Sequence, residues 1–488
     1  MTISFNSIPI GLRTPGVFVE FDSSKAVSGL PAAPTKVLLV GQRLAAGATP
    51  AATPLRIVSA DQASKAFGRG SMLHAMAAFF RGADAITECW AIGLDDAAAG
   101  TAATGTITVT GPATAAGTIA LLIDGRAIKV AVKAGDTADT IAAAINVAIG
   151  AALDLPVTAA VANAVVTVTA RHKGTAGNDI DLRANFYQGE QLPAGVALAF
   201  AAMKDGAGDP DITAALAAIG DVSYSTIALG FAGAATLAAV EAEMTRRWGA
   251  LEMLDGRVYV GARGSQGSLA AIGNARNSPH LSIIGAKASP SAPWAWAACF
   301  AGVMGFNIAV DPARPFQTLA LPGLLAPKEG DRFTRTEREL LLRDGISTWT
   351  VDAGGTVLIE RAITTYQLNA FGLEDTAYLD VNTPATLAYL RYAVRARILA
   401  RYPRHKLAAD DARFSAGQAI VTPKIIRAEI IALFRELEEA GLVEALDQFV
   451  ADLKVERDAT DAGRVNALIP PDLVNQFRVL AVRGEFRV

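Results

Sequence analysis

The chain alternates before it does anything else. Residues 17–22 (VFVEFD) put Val17, Val19 and Phe21 on one face and Phe18, Glu20 and Asp22 on the other, which predicts a strand after the Pro15-Gly16 turn signal. Residues 36–41 (KVLLVG) are apolar almost throughout, the pattern of a strand covered on both faces of a parallel sheet. A helical period then runs from the N-cap candidate Ser59 to a stop at Gly68, a second occupies residues 71–81, and residues 88–93 (ECWAIG) read as another buried strand. Strand, helix and strand joined by short links make an α/β beginning.

At Asp95 the pattern changes. Residues 97–203 are rich in Ala, Gly, Thr and Val, and read as about five strands and one helix, with Asp124-Gly125 between two alternating runs as a hairpin signal. This predicts a β-rich domain inserted in an α/β domain. Helix and strand patterns resume in turn at residues 212–220, STIALGF, TLAAVEAEMTRRWGAL, GRVYVG, SLAAIGNAR and HLSIIGA, which predicts an open, mostly parallel sheet with helices on both faces. Thr383-Pro384 and Thr422-Pro423 each read as N-cap plus Pro at the first helical position, announcing helices over 385–402 and 424–440. LKVERD and the last run, NQFRVLAVRGEFRV, read as strands. The fold class is therefore multi-domain α/β. Its division is an N-terminal arm and first strand (1–23), core (24–96 and 204–370), insert (97–203), α+β C-terminal domain (371–474) and terminal arm strand (475–488).

Composition narrows the chemistry. The 488 residues are 51% hydrophobic, too many for one ordinary core, and 44 Lys and Arg against 47 Asp and Glu leave a net charge of -3 with no block of like charge. Nucleic acid is not an expected partner. Cys89 and Cys299 sit in apolar runs and read as buried thiols, too few for a zinc site. The N-terminus lacks the basic and apolar regions of a secretory signal. Residues 288–310 are uncharged and long enough to span a bilayer, but Pro290, Pro293 and Asn307 interrupt them and a buried core helix is expected, with no membrane insertion.

Enzymatic signals are thin. Gly261, Gly264 and Gly267 lie between a strand and a helix start, where backbone N–H groups could cradle a phosphate, but the G-x-x-G-x-x-G spacing misses the dinucleotide fingerprint and no Walker lysine follows. A plain turn is expected there. His74, His172, His280 and His405 fall in four contexts without a nucleophile motif. Asp179 and Asp181 lie on one face of GNDIDL, where turn chemistry is expected in preference to a cation. No catalytic, cofactor or metal residue is assigned.

The C-terminal helices say more. In the first, Leu387, Leu390, Val394 and Ile398 make an apolar stripe, while Arg391 and Arg395, and Arg397 and Arg401, stack at four-residue spacing. Such a face is either solvated or docked on an acidic neighbour, and both readings stand. In the second, Ile426, Ile430, Phe434 and Leu437 are the expected buried side, with Lys424, Arg427, Arg435, Glu436, Glu438 and Glu439 on a mixed charged face.

Taken together, TPGVFVEFD, KDGAGDPDI (204–212), DPARPFQTLALPGLLAP (311–327) and IERAITTYQLN (359–369) resemble the contractile phage tail sheath proteins, in their Mu-like branch. AYLDVNTPATLAYLRYAVR, YPRHKLAADD, IVTPKIIRAEI, GLVEALDQF and VERDATDAGRVNALIPPDLVNQF continue the resemblance in order along nearly the whole chain. It implies a structural subunit and no enzyme or cofactor, with a core that is subtilisin-like in name only. Stacked hexameric rings around a tail tube, with baseplate and tail terminator proteins as further partners, would contract and drive the tube through a bacterial envelope. The location implied is the virion tail, after assembly in the host cytoplasm. A tailocin or other contractile injector is the alternative of the same kind, and an α/β nucleotide-binding enzyme using the 261–267 loop the alternative of another kind.

The resemblance also implies that both terminal arms add strands to neighbouring subunits. For the N-terminal arm the residues are Ile8, Ile10, Val17, Val19 and Phe21; for the C-terminal arm they are Phe477, Val479, Leu480, Val482, Phe486 and Val488. Leu480, Val482, Phe486 and Val488 share one face of the last run, while Phe477, Val479 and Ala481 on the other give way to Arg483, Glu485 and Arg487. Lys424, Arg427, Arg435, Arg391 and Arg395 are the candidates for contact with the tube or a neighbour.

Overall fold

The structure, a computed structural model, describes residues 11, 13–19, 29–415 and 417–487. It divides into two compact units, Pro34–Ala388 with Asn475–Val488, and Met1–Ala33 with Tyr389–Val474.

The first unit begins with β1 (Lys36–Gln42), β2 (Pro54–Ile57), α1 (Ala60–Phe67), α2 (Met72–Ala83) and β3 (Glu88–Leu94). Ser59 and Ser71 cap the two helices by accepting from the amides of Gln62 and His74. The insert follows with β4 (Ala102–Thr110), β5 (Gly117–Ile123), β6 (Arg126–Val132), α3 (Ala138–Ala151), β7 (Val157–Ala162), β8 (Val165–Lys173), β9 (Leu182–Ala184) and β10 (Ala197–Lys204). These seven strands, against about five expected, form a four-stranded sheet β10-β4-β8-β7 and a three-stranded sheet β6-β5-β9. The β5–β6 hairpin turns at Asp124 and Gly125, both at positive φ, as a two-residue turn of that kind requires.

The chain then returns through α4 (Thr213–Ile219), β11 (Thr226–Leu229), α5 (Ala234–Trp248), β12 (Arg257–Ala262), α6 (Gln266–Asn274), β13 (Leu281–Gly285), α7 (Pro293–Val310), α8 (Arg335–Arg343), β14 (Ile346–Val351) and β15 (Val357–Arg361). Its sheet has the order β15-β14-β13-β12-β11-β1-β3-β2. Six central strands are parallel and only the edges, β15 and β2, run antiparallel. From β1 the chain steps to β3 in one direction, and from β11 to β14 it steps in the other. Right-handed crossovers therefore put α1 and α2 on one face and α5 and α6 on the opposite one.

Among the described residues α7 is the one helix long and apolar enough to cross a membrane, yet 78% of it is buried. It packs on α2, β11 and β12. Phe300 meets Tyr259 edge-on at 5.1 Å, Trp296 lies 5.2 Å from Trp349, and the indole N–H groups of Trp296 and Trp349 donate to Ser289 Oγ and the Gly285 carbonyl. From Pro293 to Gly305 every face is covered, and an all-round apolar helix is what a core position calls for; only the last turn, with Phe306 and Val310, is exposed.

The second unit takes over within α9 (Asn382–Arg401), then runs through β16 (Lys406–Leu407), β17 (Ile420–Val421), α10 (Pro423–Glu439), β18 (Val443–Glu444), α11 (Leu446–Asp452), β19 (Lys454–Arg457), β20 (Val465–Leu468) and β21 (Asp472–Leu473). Helix α9 starts earlier than the Thr383 cap predicts. The reason is Asn382, buried with its amide donating to the carbonyls of Pro312 and Arg314, which starts the first turn there; Pro384 still falls inside that turn. Thr422 caps α10 as expected, accepting from the Ile425 amide. The buried side of α10 is Glu429, Ile430, Leu433, Phe434 and Leu437, while Ile426 is only half-buried. Phe434 stacks on Phe449 of α11 at 4.0 Å. The strands make three two-stranded sheets, β16-β17, β18-β21 and β19-β20.

Candidate functional site

In an open α/β sheet a ligand sits where the strand order reverses, outside the carboxyl ends of the strands. Here that place lies between β1 and β11, and it is filled. A Cβ on Gly41 would meet Met76 Sδ at 3.0 Å, and one on Gly230 would meet Met72 Sδ at 2.5 Å. Gln42 at the end of β1 donates to Asp96 Oδ1 and to the Lys173 carbonyl, both at 2.7 Å, so the insert is sewn over the crevice. The cavity left between Gln42, Met72, His172, Ile180 and Trp294 leaves about 10 Å³ for the centre of a water molecule. A nucleotide needs a pocket of several hundred Å³ (~300 or more).

The 261–267 loop has its own structural reason. A Cβ on Gly261 would lie 2.1 Å from the Pro293 carbonyl oxygen, so this glycine lets β12 and α7 approach. Ser265 caps α6 by accepting from the Ser268 amide, and Arg263 reaches away to the carbonyls of Ser289 and Ser291. Each histidine has its own described partners. His172 Nε2 accepts from the Met72 amide and its Nδ1 faces Asp96 at 3.2 Å, while His74 Nδ1 accepts from the Gly70 amide. Burial would raise the Asp96 pKa, but the bonds from His172, the Lys173 amide and Gln42 together hold it below the usual value. His280 lies against Trp248 and His405 edge-on to Tyr402. Asp181 pairs with Arg183, Asp179 faces Arg263 at 3.8 Å, and Asn178 exchanges hydrogen bonds with Gly206, 28 residues on, so long-range bonds hold Asn178 and Asp179 where local turn bonds were expected. Cys89 and Cys299 are free and buried, and burial pushes Cys89 up to about 12.

The terminal segments are different in kind. Residues 475–487 form no strand, against the expectation, and none of the described backbone hydrogen bonds involves 479–487. A strand needs a ladder, and none of the described residues forms one with this run. Val479, Leu480, Val482 and Phe486 are 74–88% exposed, and Phe477 is 70% exposed. Its root is held: Arg478 reaches Asp380 at 2.9 Å and Asn382 Oδ1 at 3.2 Å, Gln476 donates to the Ala313 carbonyl, and Gln317 donates to the Phe477 carbonyl. At the other end Val17 to Val19 are exposed and form no strand with any of the described residues. Ile8, Ile10, Phe21 and Val488 lie outside the described residues.

The arginine ladder of α9 is resolved by α10. Arg397 and Arg401 both meet Glu429, at 3.1 and 2.9 Å, and Arg397 also pairs with Glu436. The acidic neighbour thus belongs to the same unit. Arg427 donates to the carbonyls of Val450 and Leu453, whereas Lys424, Arg435 and Arg395 point to the surface and Arg391 is half-buried. Sequence reading missed the Glu429 carboxylate and the Arg361–Asp380–Arg478 group. Glu429 stands at helical spacing from Ile426 and Leu433 and could have been suspected as a buried charge; nothing in sequence joins Arg478 to Asp380.

Comparison with known proteins places the chain in a structural family. Residues 98–197 match the phage tail sheath protein β-sandwich domain, 205–365 the phage tail sheath protein central domain, and 374–487 the phage tail sheath C-terminal domain. The chain is 45% identical over 486 residues to the Mu-like prophage FluMu tail sheath protein of Haemophilus influenzae, covering 100% of both. Among solved structures, a sheath tail protein of Desulfitobacterium hafniense aligns with TM-score 0.49 and 14% identity, over 94% of this chain and 100% of that one. One of Listeria innocua aligns with TM-score 0.49 and 15% identity, over 91% and 93%. The contracted helical sheath of the anti-feeding prophage aligns with TM-score 0.48 and 12% identity, over 97% and 99%. With family matches over most of its length and a relative alike from end to end, the chain belongs to the phage tail sheath family, as a structural subunit of a contractile tail and not an enzyme.

Proposed function

We propose that copies of this chain stack as hexameric rings around a tail tube, above a baseplate and below a terminator, and are linked by strands exchanged between copies. Contraction of that lattice drives the tube through a bacterial envelope. The observation that carries the strand exchange is the run 479–487, with Val479, Leu480, Val482 and Phe486 exposed and no backbone partner among the described residues. Such an edge is a liability in a monomer and a joint in a polymer. A suitable acceptor is the antiparallel pair β19–β20, since two strands alone are marginal and gain from a third. Each backbone bond then contributes a net ~0.5–1.5 kcal/mol, so several in register make a strong link. The N-terminal arm, with Ile8, Ile10, Val17, Val19 and Phe21, supplies a second strand to a neighbour in the same way.

Two packings of the same subunit that differ by a few kcal/mol, repeated along the polymer, store the energy of contraction. Lys424 and Arg435 of α10, together with Arg391 and Arg395, are the residues assigned to the tube or a neighbouring copy, and Arg427 serves by fixing α10 in its unit. Assembly takes place in the host cytoplasm. Electron microscopy of the purified chain and of a chain ending at Arg478 tests the exchange: linked tubes are expected only from the full chain. Equal tubes from both would defeat it.

A further inference from the structure

We infer that Arg478 is the pin that fastens the C-terminal arm to the core, so that the donated strand begins at Val479 and the residues before it stay with their own subunit. The inference rests on the strand exchange proposed above and adds where the arm is anchored and through which residues it is held. The terminal run is not uniform. In 475–478 the side chains of Gln476 and Arg478 turn back to the core, Gln476 to the Ala313 carbonyl at 3.2 Å and Arg478 to Asp380 and Asn382, and the Phe477 backbone carbonyl accepts from Gln317 at 3.5 Å. From Val479 on, the one described side-chain pairing is Arg483 with Glu485, both at the surface.

The Arg478 side chain is 14% exposed and that of Asp380 16%, so the pair is largely desolvated. Asp380 is held in turn by Arg361, whose Nε and Nη2 donate to its two oxygens at 3.0 Å each. Arg361 ends β15, an edge strand of the central sheet. Asn382 is fixed by the carbonyls of Pro312 and Arg314. A pull on the arm therefore reaches the central sheet through Arg478, Asp380 and Arg361, and does not pass along unsupported chain. A desolvated arginine pair, its carboxylate held on the far side by the bidentate Arg361, resists such a pull better than a surface ion pair.

Trypsin on the full-length chain tests the pin without any polymer. Arg483, which is exposed, should be cut quickly, and Arg478 slower by about tenfold or more, because a protease needs the side chain released. In Asp380→Asn the two rates should come within about twofold. Equal rates in the unsubstituted protein would overturn the inference. In assembled sheaths, Asp380→Asn and Arg478→Gln should shed subunits on contraction while the unsubstituted sheath stays linked. Arg478→Gln serves if Asp380→Asn fails to fold, and its melting temperature is read alongside to separate loss of linkage from loss of fold. Sheaths of these variants that contract intact would sink the pin but leave strand exchange standing. A chain ending at Arg478 that still forms linked sheaths would instead sink strand exchange, and the pin with it.

Discussion

Replacing Glu429 with Gln tests whether the α9 and α10 helices are clamped by charge. The carboxylate is 7% exposed and takes three donors: Arg397 Nη1 at 3.1 Å, Arg401 Nη1 at 2.9 Å and the Tyr402 hydroxyl at 3.2 Å. Gln keeps one acceptor, loses the charge and turns an N–H group toward an arginine. Arg401 is 55% exposed, so its share is at most about 1 kcal/mol. Arg397 is 10% exposed, and breaking a buried pair costs ~3–5 kcal/mol when the remaining charge has no other partner. Here Glu436 still neutralises Arg397, which brings the expected loss to about 2 kcal/mol. For a unit of this size that is a drop on the order of 10 °C in its melting transition. The assay is urea unfolding combined with hydrogen exchange on the α10 amides, with Arg401→Gln as the mild control. A loss below about 0.5 kcal/mol for Glu429→Gln, or an equal loss for Arg401→Gln, would refute the clamp.

Two further outcomes follow from the core. Gly261→Ala should destabilise the first unit by about 3 kcal/mol or more, since its Cβ would lie 2.1 Å from the Pro293 carbonyl oxygen; a neutral effect in thermal unfolding would contradict so close an approach of β12 and α7. Burial pushes Asp124 up to about 7 against the pull of Arg126 and Arg263, and Asp179 up to about 6 against Arg263. An acid whose folded pKa is raised favours the fold while protonated, and that contribution is lost as pH rises through the folded value. The melting temperature should therefore fall between about pH 4 and 7, and Asp124→Asn, which keeps an acceptor for the Ala292 amide at 3.0 Å, should flatten the upper part of that fall. A temperature that rises or stays level across this range would show the sign to be wrong.

Much of the α/β core was legible because its signals are local. All-apolar runs marked β1 and β3, Ser59 and Ser71 marked their helices, and the breaks around residues 288–310 separated a buried helix from a membrane span. The β14–β15 pair and β2 escaped, being short strands at or near the sheet edges with mixed polarity. Helix α8 also escaped, although Thr334 and Glu337 form a capping box that was there to be read. The sites were less legible because they are long-range. Four-residue spacing revealed the arginines of α9 but not the glutamates that meet them on α10. The terminal run alternates in sequence and so predicts a strand, which the described chain does not form, because period alone does not say which chain completes it.

The most direct test is a density map of the self-assembled protein. A helical tube in which residues 479–487 lie as an added strand in a neighbouring copy, continuous with a root held at Asp380, is the predicted result. Residues 479–487 folded back onto their own subunit, in a tube that is nevertheless intact, would contradict linkage by strand exchange.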